Sequence, residues 1–200
     1  MHRFLSALAL ALLFGGVTRG ATTPEDSAIA VLYARGLTGD AEAVIECIAA
    51  LEKVLETSPD DQVARVYLGS AYTLRSRDLA LGPSKLTTVR KGIALMDEAA
   101  EAAPQNARVQ LTRAVTSNAL PGFLGRRKAA REHLEALVAA VEKDPAKLSA
   151  SDQQLLYLNC GEAAKGAGDA ARARLLWQRG LAIEGNPKLA AEIKAALAQL

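Results

Sequence analysis

Residues 67–72 read Tyr67-Leu68-Gly69-Ser70-Ala71-Tyr72. Apolar positions recur here at helical spacing, with one glycine set among larger neighbours. A small residue at such a place lets a partner helix approach closely. The arrangement returns near the far end of the chain. There Tyr157, Cys160 and Gly161 form a large, medium and small series, and Ala173 and Gly180 offer the matching small positions on the next helix. Tyr72 and Trp177 are then placed to fill the gap toward a neighbouring pair. Helices of this length are marginal alone, so stacking of pairs has to supply the core.

Pro, Gly and Asp punctuate a chain that is otherwise helical in pattern. Thr23-Pro24-Glu25-Asp26 starts a short helix that runs to about Arg35. Asp40 caps a second helix, ending near Thr57. Further helices are predicted over 61–78, 85–103, 107–118, 126–142, 151–165, 169–183 and 187–199. No alternating stretch is long enough to argue for a strand. Helix pairs end at Ser58-Pro59-Asp60, Ala103-Pro104-Gln105, Asp144-Pro145 and Asn186-Pro187. Pairs recurring at a near-constant period predict an all-α chain, an α-solenoid of about four antiparallel helix pairs with a C-terminal capping helix.

Leu68-Gly69 with Tyr72 resembles the Leu-Gly-x-x-Tyr pattern of the tetratricopeptide repeat family, and the pair from Tyr157 to Gly180 resembles it over its whole length. Gly168-Asp169 stands at the turn of that pair, and Ala114 takes the small position of the third. The resemblance covers about 25–187 and is weakest in the first pair. It implies helix pairs stacked into a groove that binds other proteins. The chain departs from the family in length. The family repeat is about 34 residues, and the spacings Gly69 to Ala114 and Ala114 to Gly161 exceed it by roughly a dozen residues each. The excess is expected around 79–85 and 120–128, between the two helices of a pair.

Composition agrees with an all-α chain. Half of the 200 residues are apolar but only 4% are aromatic, so the apolar surface is mostly Ala and Leu, both strong helix formers. His2 and Arg3 precede an apolar run, 4–14, followed by Gly15 and Gly16. That is the layout of a secretory signal peptide, expected over 1–21 with cleavage near Gly20 or Ala21 and the repeat domain over 22–200. The run is too short for an ordinary spanning helix. No Cys follows it before Cys47, so a lipoprotein signal is not expected, and there is no twin-arginine pair. The expected location is the periplasm or the medium, with membrane contact only through an uncleaved signal. Removing Arg3 and Arg19 with the signal leaves bases and acids equal in number. No general attraction to nucleic acid follows from such a balance.

Chemistry-bearing constellations are sparse. His133 stands alone after export, in Arg131-Glu132-His133-Leu134-Glu135, which makes a poor metal site. Gly161, Gly166 and Gly168 do not follow a strand, so they do not form a phosphate loop. No catalytic residue, cofactor or metal is expected. Cys47 and Cys160 lie on helices far apart in the stack, beyond the roughly 7 Å that a disulfide allows between Cα atoms, and read as small buried hydrophobes.

Two surfaces remain as candidate binding sites. The small residues set a groove side comprising Val66, Ser70 and Thr73, then Leu111 and Asn118, then Leu158, Glu162 and Lys165. This mixed surface suits a peptide or helix. The other is the 120–128 excursion. Phe123 and Leu124 there, and Leu79 and Leu81 in the earlier one, either pack on the scaffold or present an apolar patch; self-packing is the expectation. Arg126 and Arg127, with Lys128 and Arg131, form the densest basic cluster, read as a solvated face or as a contact for an acidic partner or anionic headgroup. The functional expectation is an exported scaffold mediating protein–protein interaction in the cell envelope. The alternative is a small-ligand-binding accessory protein of a periplasmic transport system, which would need a deep apolar pocket beneath the excursions. Expressed whole in a bacterium, the chain should be recovered from the periplasmic fraction with an intact mass that begins near Ala21. A cytosolic product that retains Met1 contradicts the export reading.

Overall fold

A computed structural model describes residues 28–200. The expected signal over 1–21 and the helix start at Thr23-Pro24-Glu25-Asp26 lie outside the described residues. The elements are α1 (Ala28–Leu37), α2 (Ala41–Thr57), α3 (Gln62–Asp78), α4 (Pro83–Ala102), α5 (Ala107–Ala119), α6 (Arg127–Lys143), α7 (Ala150–Gly166), α8 (Ala170–Leu181) and α9 (Pro187–Leu197). Short 3-10 turns, Gly122–Leu124 and Pro145–Lys147, sit in two of the connections. No strand occurs among the described residues.

The starts of these helices follow from side-chain chemistry. A helix leaves its first backbone N–H groups without partners, and a short oxygen-bearing side chain answers them. Asp40 accepts from Ala43 N at 3.0 Å, Asp61 from Ala64 N at 2.9 Å, and Asp169 from Arg172 N at 2.9 Å. Asn106, Ser149 and Asn186 cap α5, α7 and α9 in the same way. Helix α4 begins at Pro83 rather than near Lys85, because proline fits the first helical turn, where its missing N–H costs nothing. Helix α7 stops where Gly168 takes φ +84, a left-handed value that lets its N–H reach Lys165 O at 2.9 Å.

Successive helices pack in antiparallel pairs, α1 with α2, α3 with α4, α5 with α6 and α7 with α8, while α9 packs on both helices of the last pair. The expected pairing and cap are therefore present. The most extensive contact joins α3 and α4. At its centre two glycines face each other. A Cβ on Gly69 would stand 2.6 Å from Gly92 O, and one on Gly92 would stand 2.5 Å from Gly69 O. The backbones thus touch, which no larger residue allows. In the last pair Trp177 lies fully buried on Gly161, and Gly180 receives Ile193 of α9. The Trp177 indole N–H donates to Leu158 O at 3.1 Å, so its one polar atom is satisfied.

The core is a chain of clusters at successive junctions. Cys47, Leu51 and Leu68 join α2 to α3. Val66, Met96 and Val109 join α3, α4 and α5. Leu111, Leu134, Leu156 and Leu176 join α5 through α8. Trp177, Ile193 and Ala196 close the end. Cys47 and Cys160 are free, buried and in different clusters. Burial pushes their thiols up to about 11 and about 12.

The lengthened central repeats differ from the expectation. The connection after α3 is only 79–82, and the extra length is mostly helix: α3 has 17 residues and α4 has 20. Only 120–126 makes a true excursion. The expected self-packing of the apolar residues there is also overturned in part. Phe123 is 82% exposed and Leu81 is 97% exposed, while Leu124 and Leu79 are half-buried. A connection as short as 79–82 has no reach to fold its tip back onto the scaffold.

Gly69→Ala should force α3 and α4 apart and cost about 1–3 kcal/mol in urea unfolding, the usual range for overpacking. Gly166→Ala, with no heavy atom within 4 Å of the new methyl, should leave stability unchanged or slightly raised. Equal effects of the two would contradict a backbone contact at Gly69.

Candidate functional site

The odd-numbered helices touch one another in order, α1 with α3, α3 with α5, α5 with α7 and α7 with α9. The even-numbered helices make no comparable mutual contact among the described residues and are bridged by long charged side chains instead. Lys91 of α4 reaches Glu52 of α2 at 3.7 Å. Arg126, at the start of α6, pairs with Asp97 of α4. Arg172 of α8 reaches Glu135 of α6 at 2.8 Å, and Arg179 pairs with Glu142. In a curved stack the more closely spaced row is the inner one. The odd-numbered helices therefore form the inner wall.

A seam of aromatic and charged side chains crosses that wall. Tyr33 of α1 meets Tyr67 of α3 edge to face, with ring centroids 5.0 Å apart. Arg108 of α5 donates to Tyr67 OH at 3.2 Å, with its guanidinium 5.6 Å from the ring centroid. Its other arm lies 3.6 Å from the carboxylate of Asp152 on α7. A second chain runs beside it: Tyr33 OH to Ser70 Oγ at 2.7 Å, and Ser70 Oγ to Thr116 Oγ1 at 2.9 Å. Four successive inner helices are thus linked by side chains. Tyr33, Tyr67 and Arg108 remain partly exposed, whereas Asp152 is buried. Burial pushes the Tyr33 hydroxyl well above the ordinary phenol range, an effect the Ser70 hydrogen bond opposes.

The groove residues expected from the sequence are mostly packing residues. Val66 and Leu111 are fully buried in core clusters. Ser70 is buried between α1 and α5. Thr73 is buried against Gly92, and its hydroxyl donates to Ser70 O at 2.7 Å. Helix α3 is rotated so that Tyr67, rather than Ser70 or Thr73, reaches the open side. Leu158 packs beside Trp177, and Lys165 lies 5.8 Å from the Trp177 ring centroid. Glu162 is exposed. Asn118 is half-buried and accepts from Arg131 Nε at 3.3 Å. Arg127 Nε donates to Leu120 O at 2.9 Å, so part of the basic cluster ties down the 120–126 excursion that carries Phe123 and Leu124. Sequence reasoning passed over Tyr33, Tyr67, Arg108 and Asp152. The available signal was two tyrosines on the first helices of consecutive pairs.

A chain of similar architecture is the crystal structure of a thermophilic TPR protein from Thermus thermophilus, with TM-score 0.60 over 88% of this chain and 84% of that one. The fold is tetratricopeptide-like. At 17% identity the similarity concerns the fold alone. No protein-family model and no curated relative matches the sequence. Among the described residues no group of three or more His, Cys, Asp or Glu is arranged to hold a metal, and no helix is long and apolar enough to cross a membrane.

Because Tyr33 is harder to ionise when folded, its contribution to stability is full below the unfolded phenol pKa near 10 and is lost as pH rises beyond it. Tyr33→Phe should lower stability at pH 7.5 by about 1 kcal/mol through loss of the Ser70 hydrogen bond. It should also lose less between pH 9 and pH 10.5 than the parent chain does. Urea midpoints at these pH values check both, and an unchanged alkaline slope contradicts the burial of this hydroxyl.

Proposed function

We propose that this chain is an exported tetratricopeptide-like scaffold that binds a protein partner in the cell envelope through its inner wall, and that its work is binding rather than catalysis. The observation that carries the reading is the seam Tyr33–Tyr67–Arg108–Asp152. Tyr and Arg are enriched among the residues that dominate the energetics of protein interfaces. Here their mutual contacts hold them in place before any partner arrives, which reduces the ordering cost of binding. A wall of partly exposed rings, backed by a largely buried guanidinium, suits an extended segment or a helix with mixed side chains. The near-balance of charge in the chain argues against nucleic acid as the partner. Export rests on the basic start and apolar run of 1–21. The small-ligand alternative is less well supported: the cavity beside the 120–126 excursion is about 100 Å³ and is lined by two arginines, not the deep apolar pocket that reading needs.

A photoreactive phenylalanine analogue placed singly at Tyr67, at Phe123 and at outward-facing Glu98 tests the assignment in living cells. Irradiation should give one discrete adduct from Tyr67 and none from Glu98. An adduct from Phe123 alone would move the partner to the excursion and overturn the inner-wall reading. Absence of any adduct at Tyr67, with helicity intact, would do the same.

A further inference from the structure

The cavity beside the excursion has a chemistry of its own. Arg113, Ala114 and Ser117 of α5 form one wall, and Gly125, Arg126, Ala129 and Ala130 at the start of α6 form the other. Arg113 lies five positions beyond Arg108, which at about 100° per residue turns it away from the inner wall. The cavity is therefore distinct from the seam.

Donors converge on it. Arg113 Nε donates to Asp97 Oδ1 at 2.7 Å, and Arg126 Nη2 donates to the same oxygen. Two guanidinium groups thus share one carboxylate, and the trio keeps a net positive charge. Arg113 Nη1 also lies 3.0 Å from His133 Nδ1. Helix α6 opens on Arg126 with no side-chain oxygen on its first N–H groups, unlike α2, α3, α5, α7, α8 and α9. The positive end of a 17-residue helix dipole therefore adds to the field. The decisive group is Ser117. It is 4% exposed, it stands in the cavity wall, and its Oγ has no hydrogen-bond partner among the described residues. A buried hydroxyl left unsatisfied has given up its hydration with nothing in return. A hydrogen-bond acceptor held by the two arginines would satisfy it.

We infer that the cavity formed by Arg113, Ser117, Arg126 and the start of α6 binds a small oxyanion, phosphate or carboxylate. The anion accepts from the Ser117 hydroxyl, from the α6 N–H groups and from guanidinium N–H groups not engaged by Asp97. Asp97 holds the two arginines in position and, as a like charge, limits the affinity. Ala129 and Ala130 leave the space that larger side chains would fill. Nothing in this requires the inner wall, so the site stands or falls separately from the protein-binding proposal.

Titration calorimetry on the full chain, with inorganic phosphate and separately with acetate at fixed ionic strength, tests it. One of the two anions should bind with one-site saturation. Saturation by phosphate assigns a phosphate site, and saturation by acetate assigns a carboxylate site. Ser117→Ala should weaken that binding by about tenfold or more, as expected for a hydrogen bond to a charged group, while leaving the anion-free protein at least as stable as the parent. Asp97→Asn should tighten it several-fold, the opposite of what a purely structural carboxylate would do. If neither anion binds, or if Ser117→Ala and Asp97→Asn bind as the parent does, the inference is overturned.

Discussion

The backbone contact between Gly69 and Gly92 is the constraint on which the rest of the stack depends. It brings α3 and α4 together without intervening side chains. Helix α3 then has its other flanks free, and it contacts α1, α2 and α5 as well. Val66, Tyr67, Leu68 and Ser70 radiate from the turn that contains Gly69 and enter separate junctions. Moving α3 outward by the width of one methyl would therefore disturb several interfaces at once. Protein interiors are packed too densely to absorb such a shift.

Two different forces hold the two rows of helices. On the outer row the links are ion pairs such as Arg172 with Glu135, whose side chains are 34% and 49% exposed. Pairs this exposed contribute only about 0–1 kcal/mol each. On the inner row the Arg108 and Asp152 side chains are 15% and 10% exposed, and Arg108 also donates to Tyr67 OH. Breaking one member of a largely buried pair leaves the other charge without its partner, which is much more costly. The inner row thus resists spreading, while the outer row can adjust. A scaffold built this way presents a defined inner surface and tolerates variation outside.

Much of the fold was readable because local chemistry and global packing agree. Asp40, Asp61 and Asp169 mark helix starts, and Gly69 and Gly161 mark where partner helices press close. The groove was less readable. A glycine fixes the face turned toward the partner helix but not how far the remaining faces are rotated about it. Ser70 and Thr73, placed on the open side by their spacing from Gly69, both find partners inside. The seam was hidden for a different reason. Tyr67, Arg108 and Asp152 sit on successive inner helices, and no local pattern announces contacts that span whole repeats. The extra length was misplaced because added helical turns keep the same periodicity as the helix they extend. The role of Arg126 was also invisible, since its partner Asp97 lies on the preceding pair.

Native-state hydrogen exchange on the full chain examines the keystone role of the α3–α4 crossing most directly. Amides of α3 and α4 around Gly69 and Gly92 should be the last to exchange, with an opening free energy equal to that of global unfolding. Slower exchange in α7 and α8, with α3 and α4 opening locally at lower free energy, would contradict a stack organised around that contact.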